Sequence, residues 1–441
     1  MKQTEIGFIP NEWNALKFGE IFEIVKSYSF SRNKLTLEVT SSKVQNIHYG
    51  DIHSKFTNNH LDFDKENVPC IVDEFLTDSH NQFLKNGDIV IADVSEDLID
   101  IGKCIELKNV KNRKVLGGLH TIVARDKKNT IAKGFGAYIF KHKEVLKELR
   151  SIATGMSVYG ISKGNLNKLL IPIPTLPEQR KIAYILSTVQ KAIEQQDKLI
   201  QHTTELKKAL MQKLFTEGTK GEKQKLTEVG LVPWDWDEIV IGDLGKCFTG
   251  TTPKTVVEEY WNSDDFDFIA PADIGKAKFV YNSERKMSES GLNVSRILPK
   301  NSVMCVCIGS SIGKVGLSFK EFSATNQQIN SVICNEKYNP LYTYYLLCHY
   351  SEHWRSYATF GPVPILNKGQ FEIIKIFASQ DSNEQEFIAD SLNALDIKTE
   401  FHEKKKQTLS DLFKTLLHEL MTGQRRTNEI EFNNQIKKIN N

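Results

Sequence analysis

The sequence predicts a mixed α/β chain of the α+β class, built as a tandem duplication in which each half ends in one long helix. Two internal matches carry this reading. "IGFIPNEWNALKFGEI" from Ile6 returns without a gap as "VGLVPWDWDEIVIGDL" from Val229, which pairs Pro10 with Pro233, Trp13 with Trp236 and Gly19 with Gly242. Further on, "EQRKIAYILSTVQKAIEQQ" from Glu178 has a degraded copy, "EQEFIADSLNALDIKTEFH", that begins at Glu384, 206 residues later. A third observation fills in the rest: the chain between these marks reads as short strands and Gly-rich turns, at 441 residues and 40% hydrophobic content too long for one core.

In chain order, residues 1–177 form a first domain, 178–218 a long helix, 219–228 a linker, 229–381 a second domain, 382–424 a second long helix and 425–441 a polar tail without an expected fold. Smaller matches keep the register within the domains. Asp51 in "IHYGDI" meets Asp273 in "IAPADI", "LKNGDIVI" from Leu84 resembles "LPKNSVMC" from Leu298, and Lys163-Gly164 matches Lys368-Gly369.

The first helix is opened by "IPIPTLPEQ", whose Pro177 suits a first helical turn, and it stops at "TEGTKG". Ile182, Ile185, Val189, Ala192, Gln196, Leu199, Thr203, Leu206 and Leu210 are spaced as the seam of a coiled coil. The second helix repeats this with Ile388, Leu392, Leu395, Thr399, His402, Lys406, Leu409, Phe413, Leu416 and Leu420. Both seams are apolar at the ends and polar in the middle. Antiparallel pairing of the two helices would set polar middle against polar middle, and would bury a stripe that a lone helix leaves open. "SQDSNEQ" lacks the proline of "TLPEQ", so the second helix is expected to begin more loosely.

Composition excludes several classes. No apolar run approaches the roughly 18 residues of a membrane span, and the start lacks a secretory pattern, so the expected compartment is the cytoplasm. Seven cysteines without a CxxC pair read as reduced packing residues, with Cys305 and Cys307 on one strand face, and no metal site is expected. The 57 basic and 55 acidic residues nearly cancel, so charge alone decides nothing about partners.

Enzyme motifs appear only in outline. "NPLY" from Asn339 resembles a methyltransferase motif but reads better as Asn and Pro opening a helix. "GSSIGKV" from Gly309 is a residue short of a phosphate loop and lacks the hydroxyl after Lys314. Asp93, Glu106 and Lys108 have the residue types of a nuclease triad, without a counterpart in the second half. His48, His53, His80 and His120 have no metal-ligand spacing and read as solvated or capping residues.

Binding signals are stronger. "VKSYSFSRNK" (Val25 to Lys34) and "CFTGTTPKT" (Cys247 to Thr255) fall at the same place in the two halves, and both mix hydroxyls with cations. This makes Ser27, Ser29, Ser31, Arg32 and Lys34 candidates in the first half, with Thr249, Thr251, Thr252 and Lys254 in the second. His48, Tyr49 and His53 join the first set; Lys276, Ser310 and Lys314 join the second. Asn326, Gln327 and Gln328 in "ATNQQINS" carry amides suited to adenine edges, and Lys163 and Lys368 end paired loops suited to phosphates. Two readers on a helical spacer suit a linear polymer whose grooves recur at about 34–36 Å, which a helix of about 40 residues and roughly 60 Å would bridge. The loops diverge more than the framework, as expected if each half reads a different sequence.

Taken together, "IGFIPNEW" and "VGLVPWDW", "TGTTPK" with "EYW", "APADI", "LPKNSV", "IGKVG", "ATNQQIN", and "LPEQRKIA" with "EQEFIA" and "LLHELMTGQ" make the chain resemble the specificity subunit of type I restriction-modification systems over nearly its full length. Phe268 stands before "APADI" where that family places a Trp or similar residue. The resemblance implies two target recognition domains contacting a split DNA target, and paired helices that space them and dock two modification subunits. Restriction subunits complete the expected assembly. It also implies no catalysis in this chain: S-adenosylmethionine, ATP and Mg2+ would belong to the partner subunits. The alternative reading is a scaffold that binds no DNA, or an inactive specificity paralogue.

Overall fold

The computed structural model describes residues 1–427 apart from 39, 57, 222 and 360, so the expected polar tail beyond 427 lies outside the described residues. The chain forms two compact units, one of residues 1–195 with the chain from 406 onward, the other of residues 196–405. Each unit thus takes one recognition-type domain together with part of both long helices.

The two units repeat one topology. In the first, a five-stranded sheet runs Phe22–Val25, Thr121–Asp126, Ile89–Ala92, Cys104–Lys108, His60–Asp62. In the second, the same order is Gly245–Thr249, Ile329–Cys334, Val303–Val306, Val315–Ser318, Phe279–Val280. Every neighbour is antiparallel except the last strand of each sheet, which pairs parallel. The central strands are buried on both faces, which is why "DIVIA" and "SVMCV" read as continuous apolar runs without alternation.

A four-stranded sheet completes each domain around a parallel pair, Val44–Ile47 with Lys114–Gly117 and Phe266–Ile269 with Phe322–Thr325. The copies differ at the edges. The first adds Leu35–Thr36 beyond Cys70–Ile71, whereas the second adds Ile297–Pro299 beyond Phe322–Thr325.

The long helices span Leu176–Glu217 and Ser382–Thr422. Their starts are wired alike. Trp13 Nε1 donates to Glu178 Oε2 at 2.8 Å, and Trp236 Nε1 donates to Glu384 Oε2 at 3.0 Å. The next residue repeats as well: the Gln179 side chain accepts from Ala132 N and donates to Thr130 O and Pro174 O, while Gln385 accepts from Asn339 N and donates to Lys337 O and Ser379 O. The looser second start does not occur. Asp381 takes over from the missing proline by accepting from Asn383 N at 2.9 Å, an ordinary N-cap.

Helix ends pack into domain cores. Ile182, Ile185 and Leu186 join Trp13, Leu416, Leu420 and Met421 in the first unit, and Leu214 and Phe215 join Trp236, Ile388 and Leu392 in the second. Val189 and Phe413 pack partly buried on the first core, Leu210 on the second. Leu395 and Leu409 are half-buried. Within the second unit the polar middle positions meet, as the antiparallel pairing requires: Gln196 Oε1 lies 2.9 Å from His402 Nδ1, and Thr399 Oγ1 donates to Thr203 Oγ1 at 3.1 Å.

Leu199 and Leu206 correct the expected seam, because they are 39% and 55% exposed. The first helix keeps Ile182, Val189, Gln196, Thr203 and Leu210, but the alternate positions fall one residue later, at Leu186, Ile193, Ile200, Lys207 and Leu214, all buried or half-buried. Spacings of three-then-four and four-then-three both fit a helix, and only the second turns Leu186 and Leu214 inward.

Each unit also desolvates a histidine, His142 buried in the first and His349 half-buried in the second. Burial pushes His142 and His349 down to about 4 from 6.5. The folded value lies below the unfolded one, so their contribution is complete above about pH 6.5 and is lost as pH falls toward about 4. Urea midpoints followed downward from about pH 7 should therefore drop over this window, by on the order of 1–3 kcal/mol per histidine. His142 accepts from Glu144 N as an N-cap, so His142→Asn should keep the cap and remove that share of the pH slope.

Candidate nucleic-acid interface

In the first unit, strand Phe22–Val25 runs into a loop whose alternation decides what it shows. Tyr28 and Phe30 sink into a small core with Val44, Ile71 and Leu116, leaving Ser29 and Ser31 exposed. Ser27 is held internally: it pairs with Gly117, donates to Thr121 O at 2.8 Å and accepts from Thr121 Oγ1. Arg32 closes the loop onto the helix Tyr49–Ser54 by a two-pronged pair with Asp51 at 2.7 and 2.8 Å, Asp51 being only 1% exposed. Lys34 Nζ lies 4.8 Å above the Phe75 ring.

Around Tyr49 the structure gathers residues scattered in sequence. Its ring lies 4.7 Å from His48, 5.3 Å from His120 and 6.3 Å from His53. His48 is a correction to its assignment as a direct contact, because it is buried and its Nδ1 caps the helix by accepting from Gly50 N. Burial, then Arg32, lowers its pKa. His53 Nε2 lies 3.0 Å from Val94 O, and His120 Nδ1 lies 3.4 Å from Asp93, whose own pKa burial raises. Lys163 is exposed in the short helix Lys163–Leu166, capped by Ser162.

In the second unit, strand Gly245–Thr249 leads into the "TGTTPK" loop. A Cβ at Gly250 would lie 2.2 Å from Thr325 O and Oγ1, so only glycine lets the loop cross there. Thr249 Oγ1 donates to Asn330 Oδ1 at 2.7 Å, and Thr252 Oγ1 donates to Gln327 Oε1 at 2.6 Å. Asn326 Nδ2 donates to Gln328 Oε1 at 2.9 Å. Thr251 Oγ1 accepts from Arg296 N at 3.2 Å, while Arg296 Nη1 donates to Thr249 O at 2.7 Å.

Thr252, Lys254, Lys276, Ser310, Lys314 and Gln327 are exposed, and the stem of Lys314 lies against Gly275. Lys368 is paired with Glu372 at 2.8 Å, which discounts it as a phosphate contact. Arg296 escaped the sequence reading because its partners lie 45 and 47 residues away with no local pattern. Phe268 packs its edge on Trp261 at 5.1 Å, and the Arg285 guanidinium lies 3.6 Å from the Trp261 ring centre.

The enzyme outlines resolve into structural roles. Asn339 accepts from Leu341 N and Tyr342 N ahead of Pro340, which is a helix cap. Gly309 to Val315 connects two antiparallel strands instead of a strand and a helix. Glu106 is buried, and its carboxylate accepts from Gly134 N and Ala137 N. Among the described residues no helix is long and apolar enough to cross a membrane.

The fold and its paired loops define a class: two copies of a twin-sheet domain, each joined to a long helix and each presenting hydroxyls, amides and cations at the same place. The sequence profile of the type I restriction modification DNA specificity domain matches residues 10–202 and again 233–411. The chain belongs to that family, with two such domains in tandem.

It is similar to the putative type I restriction enzyme MjaX specificity subunit of Methanocaldococcus jannaschii, at 25% identity over 431 residues and 96% of each chain. A shorter match, to the type I restriction enzyme HindI specificity subunit of Haemophilus influenzae, has 30% identity over 150 residues, 33% of this chain and 32% of that one. The solved type I restriction-modification S subunit of M. genitalium shares the fold, with a TM-score of 0.58 at 16% identity over 95% of this chain and 98% of that chain.

Proposed function

We propose that the chain is the non-catalytic DNA reader of a type I restriction-modification complex, with each domain contacting one half of a bipartite target. The observation that carries this is the recurrence, after equivalent strands of the two five-stranded sheets, of a hydroxyl-bearing loop with a cation: Ser29 and Ser31 with Lys34, and Thr251 and Thr252 with Lys254. In the second domain Asn326, Gln327 and Gln328 supply amides that suit base edges. The surrounding sets differ, Tyr49 with histidines against threonines with amides, so the halves read different sequences. Adenine methylation and DNA cleavage are assigned to partner subunits, which bring S-adenosylmethionine, ATP and Mg2+, and the whole acts in the cytoplasm.

Two modification subunits dock on the helices, and restriction subunits join them. Exposed apolar side chains favour this: Leu199 and Leu206 on the first helix, with Ile397 and Phe401 at 57% and 60% exposure on the second. Selection from random DNA with the chain co-expressed with its modification subunit should enrich a split motif with a fixed gap. A single contiguous motif would remove one reader, and no enrichment would favour a scaffold or an inactive copy. Inserting one heptad into the helix Leu176–Glu217 should change the gap or prevent assembly while leaving both half-site sequences intact; an altered half-site at unchanged spacing would count against the helix as spacer.

A further inference from the structure

Val158 and Val363 hold the same position in the two halves, and both stand out of the surface, 54% and 55% exposed. Each loop is closed by a threonine. Thr154 N donates to Gly160 O at 3.0 Å and Gly160 N to Thr154 O at 2.8 Å; Thr359 N donates to Ile365 O at 2.9 Å and Thr359 Oγ1 accepts from Ile365 N at 3.1 Å. The next residue is clamped alike, Ile161 N to Asp93 O and Leu366 N to Cys307 O, both at 2.8 Å. Between the closures the loops share little except the valine, "MSVY" from Met156 against "GPVP" from Gly361. A β-branched side chain is stiff, and one this exposed adds little to either core.

Both valines stand beside candidate base readers. Tyr159 and Gly160 pair with Ser95 and Val94, and the Val94 carbonyl is the partner of His53 in the Tyr49 cluster. In the second unit Gly309 N donates to Pro364 O at 3.0 Å, and the amide nitrogen of Gln328 would lie 3.7 Å from a Cβ at Gly309. Cations accompany each loop: exposed Lys163 follows one, and Arg355 packs its stem near Gly313 beside the other. Duplex DNA meets that mixture with phosphates for the cations and with base faces and thymine methyls for an apolar tip.

We propose that Val158 and Val363 are matched apolar wedges, one per half-site, which enter a groove and partly unstack one base step while the neighbouring loops read base edges. This rests on the DNA-reading assignment above. It explains why two surfaces that read different sequences keep one residue in common: the wedge serves the duplex, and the loops serve the sequence.

The test uses the full chain assembled with its modification subunit, on its selected duplex with 2-aminopurine placed at successive positions of each half-site. Fluorescence should rise at one step in each half-site on binding. Val158→Thr should abolish the rise in one half-site and Val363→Thr in the other, each weakening binding roughly tenfold, the scale of one base contact. Threonine keeps the shape at an exposed position, so melting should be unchanged.

Unchanged fluorescence and affinity in both variants, with wild-type chain still selecting its split motif, would overturn the wedge alone. Loss of the modification subunit from either variant on size exclusion would overturn it too, by placing the valine in a protein interface. Failure of the wild-type chain to select any sequence would remove the DNA-reading assignment and the wedge together.

Discussion

Asp396→Ala is expected to destabilise the second unit by about 3–5 kcal/mol, the usual cost of stripping one partner from a buried ion pair. Asp396, on the helix Ser382–Thr422, accepts from Tyr345 Oη at 2.5 Å and from Lys207 Nζ at 2.5 Å, and lies 3.8 Å from Lys278 Nζ. Lys278 is the exacting member, because its side chain is 5% exposed and burial already lowers its pKa. Without the carboxylate it keeps the Asn393 amide oxygen and the Phe279 ring, 5.4 Å from its Nζ, neither of which carries a balancing charge. Urea unfolding followed by tryptophan fluorescence would measure the loss, and Asp396→Asn, which keeps a polar partner without the charge, should fall between. A loss below about 1 kcal/mol would mean that water screens the cluster as it screens a surface pair. The repeat places Gln190 at the corresponding point of the first unit, where its Nε2 donates to Asn58 Oδ1 at 3.2 Å. Gln190→Ala should cost only about 1 kcal/mol, since one neutral hydrogen bond is lost.

Trp13→Ala and Trp236→Ala should each remove about 3–5 kcal/mol from their own unit, through the cavity that a fully buried indole leaves. The phenylalanine variants separate packing from polarity. They retain most of the volume but leave Glu178 or Glu384 without the indole donor, for which about 1–3 kcal/mol is expected. Glu178 keeps Arg426, which donates from Nε at 2.8 Å, whereas Glu384 keeps Thr219 N and Oγ1. An ionic neighbour holds a carboxylate in place better than a hydroxyl. Trp13→Phe should therefore be the milder change, and hydrogen exchange of the two helix starts would report each separately.

The duplication was legible because it is written in residues the framework requires. Trp13 and Trp236, and the Glu-Gln pairs at the two helix starts, recur in sequence and make the same hydrogen bonds in both units. The helix seam was legible only where the pattern had a single solution. From the second helix, Ile388, Leu392, Leu395 and their successors all face inward, and carrying them back by the 206-residue repeat gives Ile182, Leu186, Val189, Ile193 and Gln196. In the first helix alone Leu199 and Leu206 fit a seam spacing equally well, because hydrophobicity does not by itself specify burial; their exposure shows that the repeat carries the better signal. At the candidate interface, residue types identified the loops but not the partners. Arg32 folding back on Asp51, Lys368 on Glu372 and His48 on its own helix are choices made by neighbours remote or local that composition does not rank. Arg296 reaches its loop only through the sheet edge that the second domain adds.

Gln196 and His402 occupy the same place in the two helices, 206 residues apart, and they are also each other's hydrogen-bond partners. A position that meets its own counterpart is the point where the two repeated helices present equivalent residues to each other. An identical pair there would have had to share one tautomer or one amide orientation between equals. The present pair divides the roles between two different side chains, so the match is asymmetric and made only across the duplication. Divergence at one position thereby makes the two helices non-equivalent where they meet, and the bond between Gln196 and His402 needs both side chains.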